Sequence, residues 1–141
     1  MIFTSTVEVR RAPDQVFDVY VDVSRWPEWT RSVTSVERLD PGPLRVGSRT
    51  RLRQPRLPAT VWVVTVLEPG REFTWEATGP GSRTIGRHQV HPADGGCRVV
   101  AELEQRGPLA PLVVALTGRL TRRYLEMEGR GLAEWCQRTT P

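Results

Sequence analysis

The stretch from Gly107 to Arg138 limits what this chain can fold into more than any other. Leu109, Leu112, Val113, Leu116, Leu120, Tyr124, Met127 and Trp135 recur at spacings of three, four or their sum. That spacing predicts one apolar stripe along a helix. Leu125, Leu132 and Cys136 widen the stripe on one flank, while Arg119, Arg122, Glu126, Arg130 and Glu134 read as the solvated face. Pro111 suits a first helical turn, where a missing N–H costs nothing. About 28 residues at 1.5 Å each make a rod of roughly 42 Å. Such a rod needs a long apolar partner, which the residues before it must supply. Gly118, Gly129 and Gly131 each cost it about 1 kcal/mol relative to alanine. Gly131, on the expected inward stripe, either allows close approach to the sheet or leaves space for a ligand, and a bend is expected near 129–131.

The partner is a sheet. Residues 3–10 alternate, with Phe3, Ser5, Val7 and Val9 on one face. Ala12-Pro13-Asp14 then opens a helix, with proline at its first position and an acid in its first turn, and Val16, Phe17 and Tyr20 share one side of it. A second short helical turn covers Trp26-Pro27-Glu28-Trp29. From Val33 onward the period is two, and Pro/Gly turns divide strands 33–39, 47–54, 60–67, 71–78, 82–91 and 97–106. Short connections make neighbouring strands antiparallel. In 97–106, Cys97, Val99, Ala101 and Leu103 face one way and Arg98, Glu102 and Glu104 the other. In 47–54, Ser48, Thr50, Leu52 and Gln54 oppose Arg49, Arg51 and Arg53. Strand 60–67 is apolar on both sides, so Trp62, Val64 and Val66 compete with Val61, Val63 and Leu67 for the inward face. One face of the sheet is apolar, and the long helix is its natural cover.

The chain has 141 residues, which favours a single domain over 1–141. Its two cysteines, Cys97 and Cys136, have neither CxxC spacing nor zinc-type partners, so no disulfide framework and no metal site are expected. No signal-peptide pattern opens the chain and no apolar run is long enough to span a membrane, so a cytoplasmic location without stable membrane insertion is expected. The net charge is +4 with arginine as the sole basic residue type besides histidine. The arginines alternate with acids, and no nucleic-acid partner is expected. A serine-hydrolase elbow, a Walker loop, a dinucleotide fingerprint and an HExxH pair are all missing from the sequence.

The order of strand, two short helices, six strands and a long helix, with these turns, resembles the helix-grip fold of the START / polyketide cyclase-dehydrase-like (SRPBCC) superfamily. The residues that carry the resemblance are Ala12-Pro13-Asp14-Gln15-Val16-Phe17, Trp26-Pro27-Glu28-Trp29, Val46-Gly47-Ser48, Trp62 with Glu68-Pro69-Gly70, Phe73-x-Trp75, His88 to Pro92 and Asp94-Gly95-Gly96. The resemblance implies an α+β fold in which a seven-stranded antiparallel sheet curls around the C-terminal helix. It also implies a cavity for a hydrophobic small molecule between the two. Periodicity by itself shows only an apolar face and its cover.

Against that fold, candidate ligand-binding residues are Thr50, Leu52, Gln54, Trp62, Trp75, His88, Leu116, Leu120 and Tyr124. Polar Thr50 and Gln54 on an inward face suit a wetted interior, because unpaired polar groups are costly in a dry one. Trp62 and Trp75, on adjacent strands, form either a flat ligand wall or ordinary core. His88 and His91 are three apart on a strand and so point to opposite faces, which counts against a shared metal. An inward His88 serves either as an acid/base or ligand-orienting group, or as a hydrogen-bonded core residue. Tyr124 either forms a polar pair with His88 or packs its ring and turns its hydroxyl to solvent. The outward Arg49, Arg51 and Arg53 read as a solvated face opposed by glutamates. The expected function is binding of a lipid- or polyketide-like molecule without a cofactor. The alternatives are a polyketide aromatase/cyclase using His88 or Tyr124 for proton transfer, and a protein-interaction module without a ligand.

Overall fold

The structure is a computed structural model that describes residues 1–139. Strand β1 (Ile2–Val9) is followed by helix α1 (Pro13–Val21), a 3-10 turn (Val23–Arg25) and the short helix α2 (Trp26–Trp29). Strands β2 (Ser35–Arg38), β3 (Arg49–Arg53), β4 (Thr60–Glu68), β5 (Glu72–Gly79), β6 (Ser82–Ala93) and β7 (Gly96–Arg106) come next, followed by helix α3 (Ala110–Thr139). The seven strands form one antiparallel sheet in the order β1-β7-β6-β5-β4-β3-β2. This is the expected helix-grip architecture, with β2 and β3 shorter than their sequence patterns suggested.

Each early element has a local cause. Pro13 supplies a preset φ at the start of α1, and the Gln15 side chain accepts a hydrogen bond from the Ala12 N–H at 3.2 Å. Val16, Phe17 and Tyr20 lie on the one buried side of α1. Trp26 and Trp29 of α2 are buried, and the Trp26 indole N–H donates to the Tyr20 carbonyl at 2.9 Å. Tyr20, Trp26, Trp29, Phe73, Trp75 and His88 then form a continuous ring cluster. Aromatic pairs of this kind each add about 0.5–1.5 kcal/mol beyond area burial.

The two-sidedness read from β4 is resolved by a register shift between Val64 and Val66. Before it, Trp62 and Val64 face inward; after it, Leu67 packs on the core and Val66 is exposed. A bulge inserts one residue and turns the following side chains over, so each of the two competing sets is partly right. The outer face is laced with ion pairs, among them Arg98–Glu8 at 2.8 Å, Arg87–Glu102 at 2.8 Å and Arg51–Glu37 at 2.6 Å. Arg49 pairs with Asp40 at 3.1 Å.

Helix α3 corrects the sequence reading. Its buried residues include Ala110, Tyr124, Glu128, Leu132, Ala133 and Cys136. Leu109, Leu112 and Leu116, placed on the inward stripe, are exposed, Leu116 by 77%. The true inner face lies about one residue, or roughly 100°, around the helix from the leucine stripe, along the flank of Leu125, Leu132 and Cys136. The cause is the content of that face. It carries Thr117, Thr121, Glu128 and glycines, which a hydrophobicity count does not score. The helix continues through Gly129 and Gly131. At 131 a β-carbon would overlap the Trp29 carbonyl oxygen, so the missing side chain lets α3 pass close to the end of α2 and leaves no ligand space there.

Among the described residues, no helix is long and apolar enough to cross a membrane.

Candidate functional site

Between the sheet and the first two-thirds of α3 lies a cavity of about 240 Å³. Its sheet wall is built by period-two alternation, which brings Leu52, Trp62, Trp75, His88 and Ala101 to the inner face. Its helix wall is Val113, Thr117, Thr121, Tyr124, Leu125 and Glu128. One end meets the β3–β4 loop at Gln54, Leu57 and Pro58, and the other ends on Trp26 and His88, both buried.

Of the residues singled out from sequence, Leu52, Gln54, Trp62, Trp75, His88 and Tyr124 line this cavity. Thr50 is fully buried on β3 opposite Trp62, beside the wall and not part of it. Leu116 points to solvent, and Leu120 is half-exposed and outside the lining, both for the rotation of α3 described above. The Thr50 hydroxyl and the Trp62 indole N–H have no protein partner among the described residues. Buried polar groups are normally satisfied, so these two atoms, closed off from the cavity's free space, leave a local cost in the packed wall.

His88 is held as part of the ring cluster. Its ring stacks on Phe73 with centroids 4.2 Å apart, and Nδ1 lies 3.1 Å from the Phe73 carbonyl oxygen. A carbonyl only accepts, so Nδ1 carries the proton. Burial pushes the imidazole down to about 3, against a smaller upward pull from the Phe73 hydrogen bond. The ring is therefore neutral near pH 7, and Nε2 keeps a lone pair. His91 sits on the opposite face, exposed, with Nε2 3.2 Å from the Gln89 side-chain oxygen. Tyr124 meets neither of its two expectations: its hydroxyl donates to the Pro55 carbonyl, tying α3 to the β3–β4 loop.

Sequence reasoning missed Glu128. It sits 8% exposed in the cavity wall, and its Oε2 accepts a hydrogen bond from the Tyr20 hydroxyl at 3.0 Å. Burial raises its carboxyl to about 7, with the Tyr20 hydrogen bond opposing. Burial and the neighbouring Glu128 charge raise the Tyr20 phenol well above its ordinary value. The available signal was positional: Glu128 lies four residues after Tyr124, on one side of the helix with Thr117 and Thr121.

Three comparisons bear on what this arrangement is. The profile of a family described as polyketide cyclase / dehydrase and lipid transport matches residues 1–134. A protein of Mycobacterium tuberculosis H37Rv, Rv2574, is 27% identical over 135 residues, covering 88% of this chain and 80% of its own length. Among solved structures, TTHA0849 from Thermus thermophilus superposes with a TM-score of 0.80 at 17% identity over 100% of both chains. The di-domain ARO/CYC BexL from the BE-7585A biosynthetic pathway gives 0.74 at 18% identity, over 100% of this chain and 51% of that one. At these identities the structural likenesses speak for the fold.

Proposed function

The chain belongs to the polyketide cyclase / dehydrase and lipid transport family, and from that premise we propose that it binds a hydrophobic small molecule between the sheet and α3. The observation that carries this reading is the cavity of about 240 Å³ with Trp62 and Trp75 stacked at 5.5 Å in its wall. Protein interiors otherwise pack to the density of organic crystals. An apolar cavity of about 150 Å³ is enough to bind benzene, so this one suits a bicyclic or short-chain apolar group. Apolar burial supplies the affinity. His88, through Nε2, would orient the ligand. A lipid- or polyketide-like molecule is the expected class.

Two observations rank binding above aromatase/cyclase chemistry for the residues first considered. An imidazole titrating at about 3 is a poor proton acceptor near neutral pH. The Tyr124 hydroxyl is engaged with Pro55. The outer sheet face, with its ion pairs, offers little to a partner that would bind through apolar contact.

Thermal unfolding with naphthalene tests the reading. At a free concentration a hundredfold above Kd, a ligand specific for the folded state stabilises by about 2.7 kcal/mol. The melting temperature should rise and tryptophan fluorescence should change. Ala101→Phe from the sheet and Thr121→Phe from the helix fill the cavity, and each should abolish both effects while keeping native circular dichroism. No shift in the wild-type protein, or an undiminished shift in both folded variants, would sink the proposal.

A further inference from the structure

The inner end of the cavity holds an acid that the reading above does not use. Glu128 Oε2 is occupied by Tyr20, while Oε1 has no partner among the described residues, and no arginine among them pairs with the carboxyl. The Tyr20 ring that donates to Glu128 also stands edge-on to His88, 5.1 Å between centroids. One tyrosine thus brings two acceptors to the same end of the chamber: the free Glu128 oxygen and the lone pair of His88 Nε2.

No basic side chain among the described residues pairs with Glu128. Helix α1 presents Tyr20, β6 presents His88, and α3 itself presents Tyr124 one turn earlier. Strand β1 meets the neighbouring Gly129 with Ser5 and Val7, β7 presents Ala101 and Leu103, and α2 presents Trp26. Arg87 and Glu102 also border the cavity, but the Arg87 guanidinium is paired with Glu102 at 2.8 Å and with Glu104 at 3.0 Å and not with Glu128.

Resting on the cavity reading, we infer that Glu128 selects among hydrophobic ligands, favouring those that place a protonated amine at the inner end and rejecting those that place a carboxylate there. An ammonium would donate to Glu128 Oε1 and His88 Nε2 in a site of low dielectric, where charge-assisted hydrogen bonds are strong. A carboxylate would meet two acceptors and a like charge. The ionisation of Glu128 near neutral pH gives this preference a sign with pH. An amine probe binds tighter as pH rises through about 7, because ionised Glu128 is its partner. A carboxylate probe binds more weakly over the same range.

Three probes of one size separate the possibilities: naphthalene, 2-naphthylmethylamine and 2-naphthoate, each titrated calorimetrically from pH 6 to 8. At pH 8 the amine should bind about tenfold or more tighter than the carboxylate. Glu128→Gln, which keeps the shape and an acceptor for Tyr20, should shrink that ratio to about twofold and remove its pH dependence. A measurement on the wild-type protein alone guards against a variant that misfolds. At pH 7, repeated in buffers of different ionisation enthalpy, amine binding should release about half a proton. Equal affinities for amine and carboxylate, a preference that survives in folded Glu128→Gln, or no proton release on amine binding overturns the inference while naphthalene binding keeps the cavity reading. If naphthalene also fails to bind, the cavity reading falls and this inference with it.

Discussion

At the scale of single residues, Glu128 and His88 act on stability with opposite signs. Glu128 titrates at about 7 in the folded chain against 4.5 when free, so between those values the folded state holds a proton that the unfolded state has lost. Its contribution is fully present below pH 4.5 and disappears as pH rises through 7. His88 titrates at about 3 against 6.5, so between those values the unfolded state holds the extra proton. Its contribution is present above pH 6.5 and is lost as pH falls towards 3. The two slopes cancel between about pH 4.5 and 6.5. Replacing Glu128 by Gln removes one of them. Relative to the wild type, Glu128→Gln should gain about 3 kcal/mol between pH 4.5 and 7.5, read from urea unfolding curves at several pH values. A difference that does not vary with pH would refute the assignment. Tyr124→Phe is a smaller test. It keeps the ring and removes the bond to Pro55, at a cost of about 0.5–1.5 kcal/mol in the same assay. Of these residues, His88 was legible because alternation along β6 fixes its side. Glu128 was not, because an acid on a helix reads as solvated until the fold shows what covers it.

At the scale of elements, α3 was legible in extent and misread in phase. The leucines of its first half are regularly spaced, but regular spacing alone does not decide which side of a helix is covered. The helix instead turns threonines and an acid toward a chamber that never becomes dry core, and leaves Leu112 and Leu116 outside. Leu116→Gln should therefore change stability by no more than about 0.5 kcal/mol, where a core leucine would cost several. The glycines of α3 give a paired test. At Gly118 a β-carbon would sit 3.5 Å from Phe3 and Val114, ordinary contact, so Gly118→Ala should stabilise by up to about 1 kcal/mol. At Gly131 the same change meets the backbone of Trp29 and should destabilise, despite alanine's better helix propensity. Melting temperatures of the two variants should move in opposite directions. The strands were read more accurately than the helix, because their inner faces are core over most of their length. Their one ambiguity, in β4, depended on a bulge that no residue in that run announces.

At the scale of the whole molecule, the interior divides into a packed half and a hollow half. The packed half is the ring cluster where α1 and α2 meet β5 and β6, locked to α3 by the Gly131 contact with Trp29. The hollow half lies under the first turns of α3, with the Tyr124–Pro55 bond at its rim. The resemblance implied a space of this kind, while alternation and helical period could not, since a filled interior has the same pattern. The sheet order also sets a timetable. Val9 pairs with Cys97 and Ile2 with Glu104, so β1 finds its neighbour roughly ninety residues after it is made. At about ten residues per second of synthesis, that wait is on the order of nine seconds. Until then Phe3, Val7 and Val9 have no sheet to face, and contacts this distant in sequence form slowly. A nascent chain stalled after Arg106 should accordingly be cut readily by protease, and one that includes all of α3 should resist. The chamber cannot close before α3 follows the sheet, so a bound ligand of the proposed kind would influence folding only at the docking of α3. It would act there as a stabiliser of the finished product, arriving too late to guide assembly.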